Sequence, residues 1–216
     1  MKFIDSVNYL GVKFDESLNF ESHINSVVSS SYYEIKKIAA IRKFLSIPQC
    51  EQLIHSFISS KLDYSNALYF GIKKQLILKL QRVQNAAMRL LLKLRKKAPV
   101  SSHFLEYHWL NIESRILFKV ILIIFKCLHN MAPILLAKNL VIDDNSRGNT
   151  LKYWFHARTV DGKRAFAFYS PYLWNNLPLY IRRIHEIEPF KTTIKSFLFS
   201  NFLDYKQKVN SIVNII

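Results

Sequence analysis

Apolar residues recur every three to four positions along most of this chain, and the longest such run, Lys73 to Lys97, predicts one helix with two differently dressed faces. Leu76, Leu80, Val83, Ala87, Leu90, Leu91 and Leu94 fall on a stripe that must be buried, while Lys79, Arg82, Arg89 and Lys93 fall on an adjoining arc. Upstream, Ile24, Val27, Val28, Ile35, Ile38, Ala39 and Leu45 are spaced for a long helix ending near Ser46. Pro48 opens a second helical segment, Gln49 to Phe70, which Gly71 stops. Residues 2–14 mix β-prone apolar positions with Gly11, which predicts a short hairpin. Beyond Pro99, a brief helix from Ser101 to Tyr107 precedes the most apolar segment, Ile112 to Asn130. Lys119 interrupts that segment, and Lys126, His129 and Pro133 close it short of the ~20 apolar residues a membrane span requires, so it reads as a buried core helix.

The texture then changes. Leu135 to Leu140 continues the bundle, and the polar stretch Asp143 to Thr150 suggests a domain boundary. Lys163 to Tyr169 alternates like a short strand, Ser170-Pro171 is placed to cap a short helix through Trp174, and Pro178 to Ile184 and Pro189 to Phe202 form two more helices. The pattern predicts a mainly α chain: a hairpin within residues 1–17, a helical bundle over 18–142, and a smaller α-rich C-terminal appendage over 143–216. Only four glycines and six prolines are available, too few turn formers for a sheet-rich fold.

Charge sharpens this picture. Half of the 216 residues are apolar, enough for a sizeable core, yet 31 Lys and Arg stand against 15 Asp and Glu, a net charge of +16. That balance points to nucleic acid first and to an anionic membrane surface second. No acid lies between Asp63 and Glu106, so no local carboxylate can neutralise the arc of Lys79, Arg82, Arg89 and Lys93. Cys50 and Cys127 are isolated and apolar-flanked, which predicts buried thiols in a reducing compartment, and no signal peptide opens the sequence; an intracellular location, nuclear or cytoplasmic, is expected.

Catalytic chemistry is sparse. Two-metal phosphoryl transfer needs carboxylates that hold two ions about 3.5–4 Å apart. The aspartate pair Asp143-Asp144 is followed by Asn145-Ser146-Arg147-Gly148 and reads as a solvated loop. Cys127 and His129, with His103 and His108, lack zinc-ligand spacing. There is no glycine-rich phosphate loop and no nucleophile elbow. By its chemistry this is a binding or structural module, with no catalytic residue, no cofactor and no small-molecule substrate.

Several segments carry a resemblance. Tyr9-Leu10-Gly11-Val12-Lys13-Phe14-Asp15, then Leu18-Asn19-Phe20 and His23-Ile24, resemble the segment just after the catalytic palm in reverse transcriptases of LINE-type, jockey-like non-LTR retrotransposons. Leu62-Asp63-Tyr64 and the run Leu80-Gln81-Arg82-Val83-Gln84-Asn85-Ala86-Ala87-Met88-Arg89 are similar to further landmarks of that family, as are Trp109 to Arg115, Arg164-Ala165-Phe166 and Pro171 to Pro178. The likeness covers nearly the whole chain. It implies that Tyr9, Leu10, Gly11 and Val12 form a primer-grip-like hairpin and that the helices from Leu18 to Leu94 are thumb-like, contacting an RNA or DNA template–primer duplex. The family's palm aspartates lie upstream of the Tyr-Leu-Gly segment, so the resemblance implies that the Mg²⁺-using polymerase activity belongs to a parent enzyme and that this chain alone is inactive. Two other readings stand beside it: a structural or protein-interaction helical module left by a decayed element, and peripheral attachment to an anionic membrane, for which there is no lipidation signal.

Overall fold

The computed structural model describes residues 6–143, 149–153 and 157–213. It is mainly helical behind one hairpin, as the periodicity predicts. β1 (Ser6–Tyr9) and β2 (Val12–Asp15) pair antiparallel with Tyr9 opposite Val12, leaving a two-residue turn at Leu10-Gly11. Both turn residues have positive φ, 48° and 79°. This is the type I′ geometry whose twist matches the flanking strands. Gly11 adopts it freely; for Leu10 it costs about 1 kcal/mol.

α1 (Glu21–Ile41) begins after a turn organised by Asp15, whose carboxylate accepts the backbone N–H groups of Asn19 at 2.8 Å and Phe20 at 2.7 Å. The segment predicted as one helix from Gln49 to Phe70 is instead broken. α2 (Ile47–Ile54) starts at a capping box between Ser46 and Gln49, passes into a π-helical turn at His55–Ser59, and continues as α3 (Ser60–Asp63) before a 3₁₀ turn at Asn66–Tyr69. The cause lies in the serines. The hydroxyls of Ser56 and Ser60 donate back to carbonyls four residues earlier, which loosens a helix, and the chain leaves the helix at Tyr64, in extended backbone, before Ser65 enters the left-handed region at φ 52°.

The basic helix is also shorter than its pattern. α4 (Lys74–Leu91) packs against α1 and ends six residues before Lys97. Lys93 turns left-handed at φ 52°, its N–H donates to the Leu90 carbonyl at 3.3 Å, and the Leu94 N–H donates to the Arg89 carbonyl at 2.9 Å. These paired bonds form a Schellman cap with lysine where glycine is usual. A second cap comes from Arg42, in the 3₁₀ turn that follows α1. Its guanidinium is buried and donates to the carbonyls of Leu90 at 3.0 Å, Leu91 at 2.6 Å and Leu45 at 2.7 Å. A cation at the negative end of a helix, satisfying its orphan carbonyls, overrides the helix propensity of the residues that follow.

α5 (Ser101–Glu106) and α6 (Ile112–Leu128) fall where expected. The chain divides into two compact units, residues 1–115 and 116–216, so the division lies within α6 rather than at the polar stretch after 142. The ends of that stretch are tied together. Ile142 and Leu151 form an antiparallel bridge, flanked by bonds from Asp143 N–H to the Thr150 carbonyl and from Lys152 N–H to the Val141 carbonyl, both 2.8 Å. The Asn175 amide adds bonds to both main-chain groups of Leu151, at 2.8 and 2.9 Å. The polar stretch is thus closed at its base inside the second unit.

The second unit also contains α7 (Ile134–Ala137), α8 (Val160–Lys163), α9 (Phe166–Asn175), α10 (Leu179–Arg182) and α11 (Ile187–Val213). Lys163 to Tyr169, expected as a strand, is helical for most of its length, and Pro171 lies inside α9 rather than at its start. Seven residues are too few to separate the two periods; buried Tyr169, Leu173 and Trp174 follow the helical one. Phe190 stacks on Phe125 at 4.0 Å and on Trp174 at 6.0 Å, forming the centre of this unit's core. Among the described residues no helix is long and apolar enough to cross a membrane.

Candidate nucleic-acid interface

α4 buries Leu76, Leu80, Val83, Ala87 and Leu91 as its pattern requires, and adds Ile77, Gln84 and Met88. The four cations of the adjoining arc meet different fates. Lys79 donates to the Asn25 side chain at 2.8 Å and lies 3.6 Å from the Glu21 carboxylate, both on α1. Its charge is therefore met by an acid distant in sequence, which the acid-free run from Asp63 to Glu106 could not disclose. Arg89 is turned to an internal task, donating from Nε to the Ala98 carbonyl at 2.9 Å. Lys93 is exposed but lies beyond the end of α4, off the helical arc. Arg82 alone of the four is an exposed residue within the helix.

The helix end nevertheless regroups the charge. With α4 stopped at Leu91, Lys93, Arg95, Lys96 and Lys97 all lie exposed in the loop that follows. Arg82 and Arg89 are seven residues apart, which places them within about 20° of each other around the helix. Because Arg89 holds Ala98, the loop returns to the C-terminal end of α4. Five cations of this region are exposed, Arg82 on the helix and Lys93, Arg95, Lys96 and Lys97 on the loop, and they make up its basic patch. Lys73 and Lys74, exposed at the opposite end, add charge to the positive pole of the helix dipole, where acids are normally favoured. The first unit as a whole carries 17 Lys and Arg against 9 Asp and Glu, a net +8, so this surface sits in a positive field.

Around the patch, the residues of the glutamine-rich run serve as framework. Buried Gln84 donates to the Leu110 carbonyl at 2.8 Å, and Gln81 donates to Gln84 and accepts from the Ile112 N–H at 2.9 Å. Arg115 bonds the same Leu110 carbonyl at 3.1 Å and pairs with Asp63 at 2.6 Å. Trp109 is buried and donates to Glu51 at 3.0 Å. The segments containing Asp63, Gln81, Gln84, Trp109 and Arg115 are thus one hydrogen-bonded network that fixes the turn between α5 and α6 relative to α4. Trp109 and Trp174 are core anchors; Trp154 lies outside the described residues.

The hairpin presents a different surface. Tyr9 and Leu10 are 65% and 74% exposed, whereas Val12 is buried. The Tyr64 hydroxyl donates to the Leu10 carbonyl and holds the turn from beneath. A Cβ on Gly11 would meet the Tyr64 ring at 3.8 Å, an ordinary contact, so the positive φ and not space calls for glycine there. Two apolar side chains are thereby fixed in solvent at the tip of a braced turn.

No metal-binding cluster of His, Cys, Asp or Glu occurs among the described residues. Asp143 stands at the base of the closed loop, and Asp144 lies outside the described residues. Cys50 and Cys127 are buried, and burial pushes both thiols up from their ordinary pKa, away from nucleophilic use. Sequence reasoning missed Arg42 and Glu21. A lone arginine after a long helix and an acid 58 positions from Lys79 carry no local signal, because their partners are tertiary. No family model, curated protein or solved structure matches the chain.

Proposed function

We propose that this chain is the post-palm part of a non-LTR retrotransposon reverse transcriptase, and that its first unit grips nucleic-acid duplex through the phosphate backbone without polymerising on its own. The observation that carries the binding reading is the exposure of Arg82 on α4 and of Lys93, Arg95, Lys96 and Lys97 on the loop that Arg89 ties back to the helix. Such a surface suits a task in which register is held and sequence is ignored, since phosphate contacts position a duplex without reading its bases. In this reading Tyr9 to Val12 meet the primer terminus through the exposed tip, and Lys79 and Arg89 act indirectly by setting the helix and loop. The resemblance of the Tyr9–Asp15 and Leu80–Arg89 segments supplies the parent activity.

A purely structural module is the competing reading, favoured by the internal engagement of Lys79 and Arg89. Fluorescence anisotropy decides between them. The chain is expected to bind two duplexes of unrelated sequence and an RNA–DNA hybrid alike, with Kd on the order of 10⁻⁵ M at physiological salt, in the range of non-specific association. Absence of duplex binding at low salt by a folded chain would refute the proposal, and binding to anionic vesicles in its place would favour the membrane reading.

A further inference from the structure

Beneath the hairpin, the first unit contains an open cleft of about 450 Å³ that the patch on α4 does not use. One wall is a face of α1, where His23, Ser26, Val27 and Ser30 recur at intervals of three, one and three residues, the spacing that aligns side chains along one side of a helix. Ser60, Lys61 and Tyr64 form the facing wall, and Gly11 and Lys13 of the hairpin close the end. The cleft therefore draws cations from two separate elements, β2 and α3, into one concave surface.

Its floor contains an uncompensated polar group. His23 is 5% exposed, and its Nε2 is buried with no hydrogen-bond partner among the described residues. A buried polar atom left unpaired costs on the order of a hydrogen bond, which makes the His23 ring sensitive to a change in the cleft it lines. Burial and, secondarily, the charge of Lys13 hold the His23 pKa below its usual value. Tyr69, whose ring lies 6.1 Å from that of His23, also has a buried hydroxyl without a partner among the described residues. Ser30 and Ser60 donate to backbone carbonyls, so the donors left to face the cleft are Lys13, Lys61 and Ser26. Glu34 lies 3.5 Å from Lys61, at the long end of an ion pair, and leaves that ammonium able to serve a second acceptor.

We infer that this cleft is a phosphomonoester-binding site, in which Lys61 from one wall and Lys13 from the hairpin end hold the phosphate oxygens. Two lysines from separate elements suit a compact dianion, and the Ser26 hydroxyl suits its oxygens. A small phosphorylated molecule and the 5′ end of a strand both carry this dianion. The inference uses none of the cations of the α4 patch and stands independently of the duplex-binding reading.

The test follows the His23 ring resonances by NMR in the full chain while inorganic phosphate is added at constant ionic strength. Saturable shifts are expected, together with a rise in the His23 pKa as the dianion stabilises its protonated form. Lys13→Gln and Lys61→Gln should each weaken the apparent affinity at least about fivefold, as expected when a charged hydrogen bond to a partly exposed site is lost. The change of Arg82, Arg95, Lys96 and Lys97 to Gln should leave it intact, separating failure of this site from failure of the duplex surface. A single-stranded oligonucleotide with a 5′-phosphate that competes where its 5′-hydroxyl counterpart does not identifies a strand end as the source; competition by a mononucleotide alone identifies a small molecule. Shifts that chloride reproduces, that fail to saturate, or that are unchanged in both lysine variants would overturn the inference.

Discussion

Replacing Arg42 by Met removes three charge-assisted hydrogen bonds from the junction between the end of α1 and the end of α4 while retaining most of the aliphatic volume. A hydrogen bond to a charged group contributes about 1.5–3 kcal/mol, but the three are not additive here. The Leu90 carbonyl keeps the N–H of Lys93, and the Leu45 carbonyl belongs to a half-buried residue that water can reach. The Leu91 carbonyl, in a fully buried bond, is the group most damaged. Removing the guanidinium also recovers its desolvation penalty. The net expectation is a loss of about 3 kcal/mol, roughly a 150-fold rise in the opening constant of the first unit. Native-state hydrogen exchange of the α4 amides reads this directly, and the Leu94 N–H, which closes the Schellman cap, should lose protection first. Arg42→Lys should recover only about 1 kcal/mol, because a single ammonium cannot satisfy three divergent carbonyls as a planar fork does. A loss below about 1 kcal/mol in the Met variant would refute the claim that Arg42 ends the helix.

Two further outcomes follow from the hairpin and the entry to α1. Leu10→Asn creates the Asn-Gly pair that a type I′ turn favours, and should stabilise the first unit by about 0.5–1 kcal/mol in urea unfolding while removing an exposed apolar tip; destabilisation would mean that Leu10 packs in a way its 74% exposure conceals. Burial pushes the Asp15 carboxyl up, but hydrogen bonds from Asn19, Ser17 and Phe20 outweigh it and the folded pKa is lowered, so the stabilisation is fully present above the unfolded pKa near 4 and is lost as pH falls through the folded value. Asp15→Asn should therefore cost about 1 kcal/mol at pH 7, the scale of a helix cap, and the difference from the parent chain should shrink as pH falls below 4; a difference that does not change with pH would contradict this role.

Much of the architecture was legible because it rests on local signals. The apolar stripe of α4, the most apolar helix α6 and the glycine turn of the hairpin each follow from residues within a few positions of one another. What escaped depends on distant partners. Helix propensity runs unbroken through Lys97, and Arg42, 49 residues before Leu91, marks where α4 stops. The two caps at the end of α4, the left-handed turn at Lys93 and the Arg42 guanidinium, move Lys93 off the arc and leave Arg95, Lys96 and Lys97 exposed in a loop. The site was thus legible as a basic segment but not as a shape. Likewise the break in the second helix lies in serine hydroxyls bonding backward, a competition that apolar spacing does not register.

The salt dependence of duplex binding tests the central claim most directly. Each phosphate neutralised adds about 0.9 to the slope of log K against log salt for B-DNA. Changing Arg82, Arg95, Lys96 and Lys97 to Gln should flatten that slope by about 3 and weaken binding to all sequences equally, with helicity preserved because Gln is nearly as good a helix former as Lys or Arg. The Lys79→Gln and Arg89→Gln pair, engaged within the fold, should change the slope by less than about 1. A folded quadruple variant whose slope matches that of the parent chain would contradict the account and leave the patch as a solvated surface.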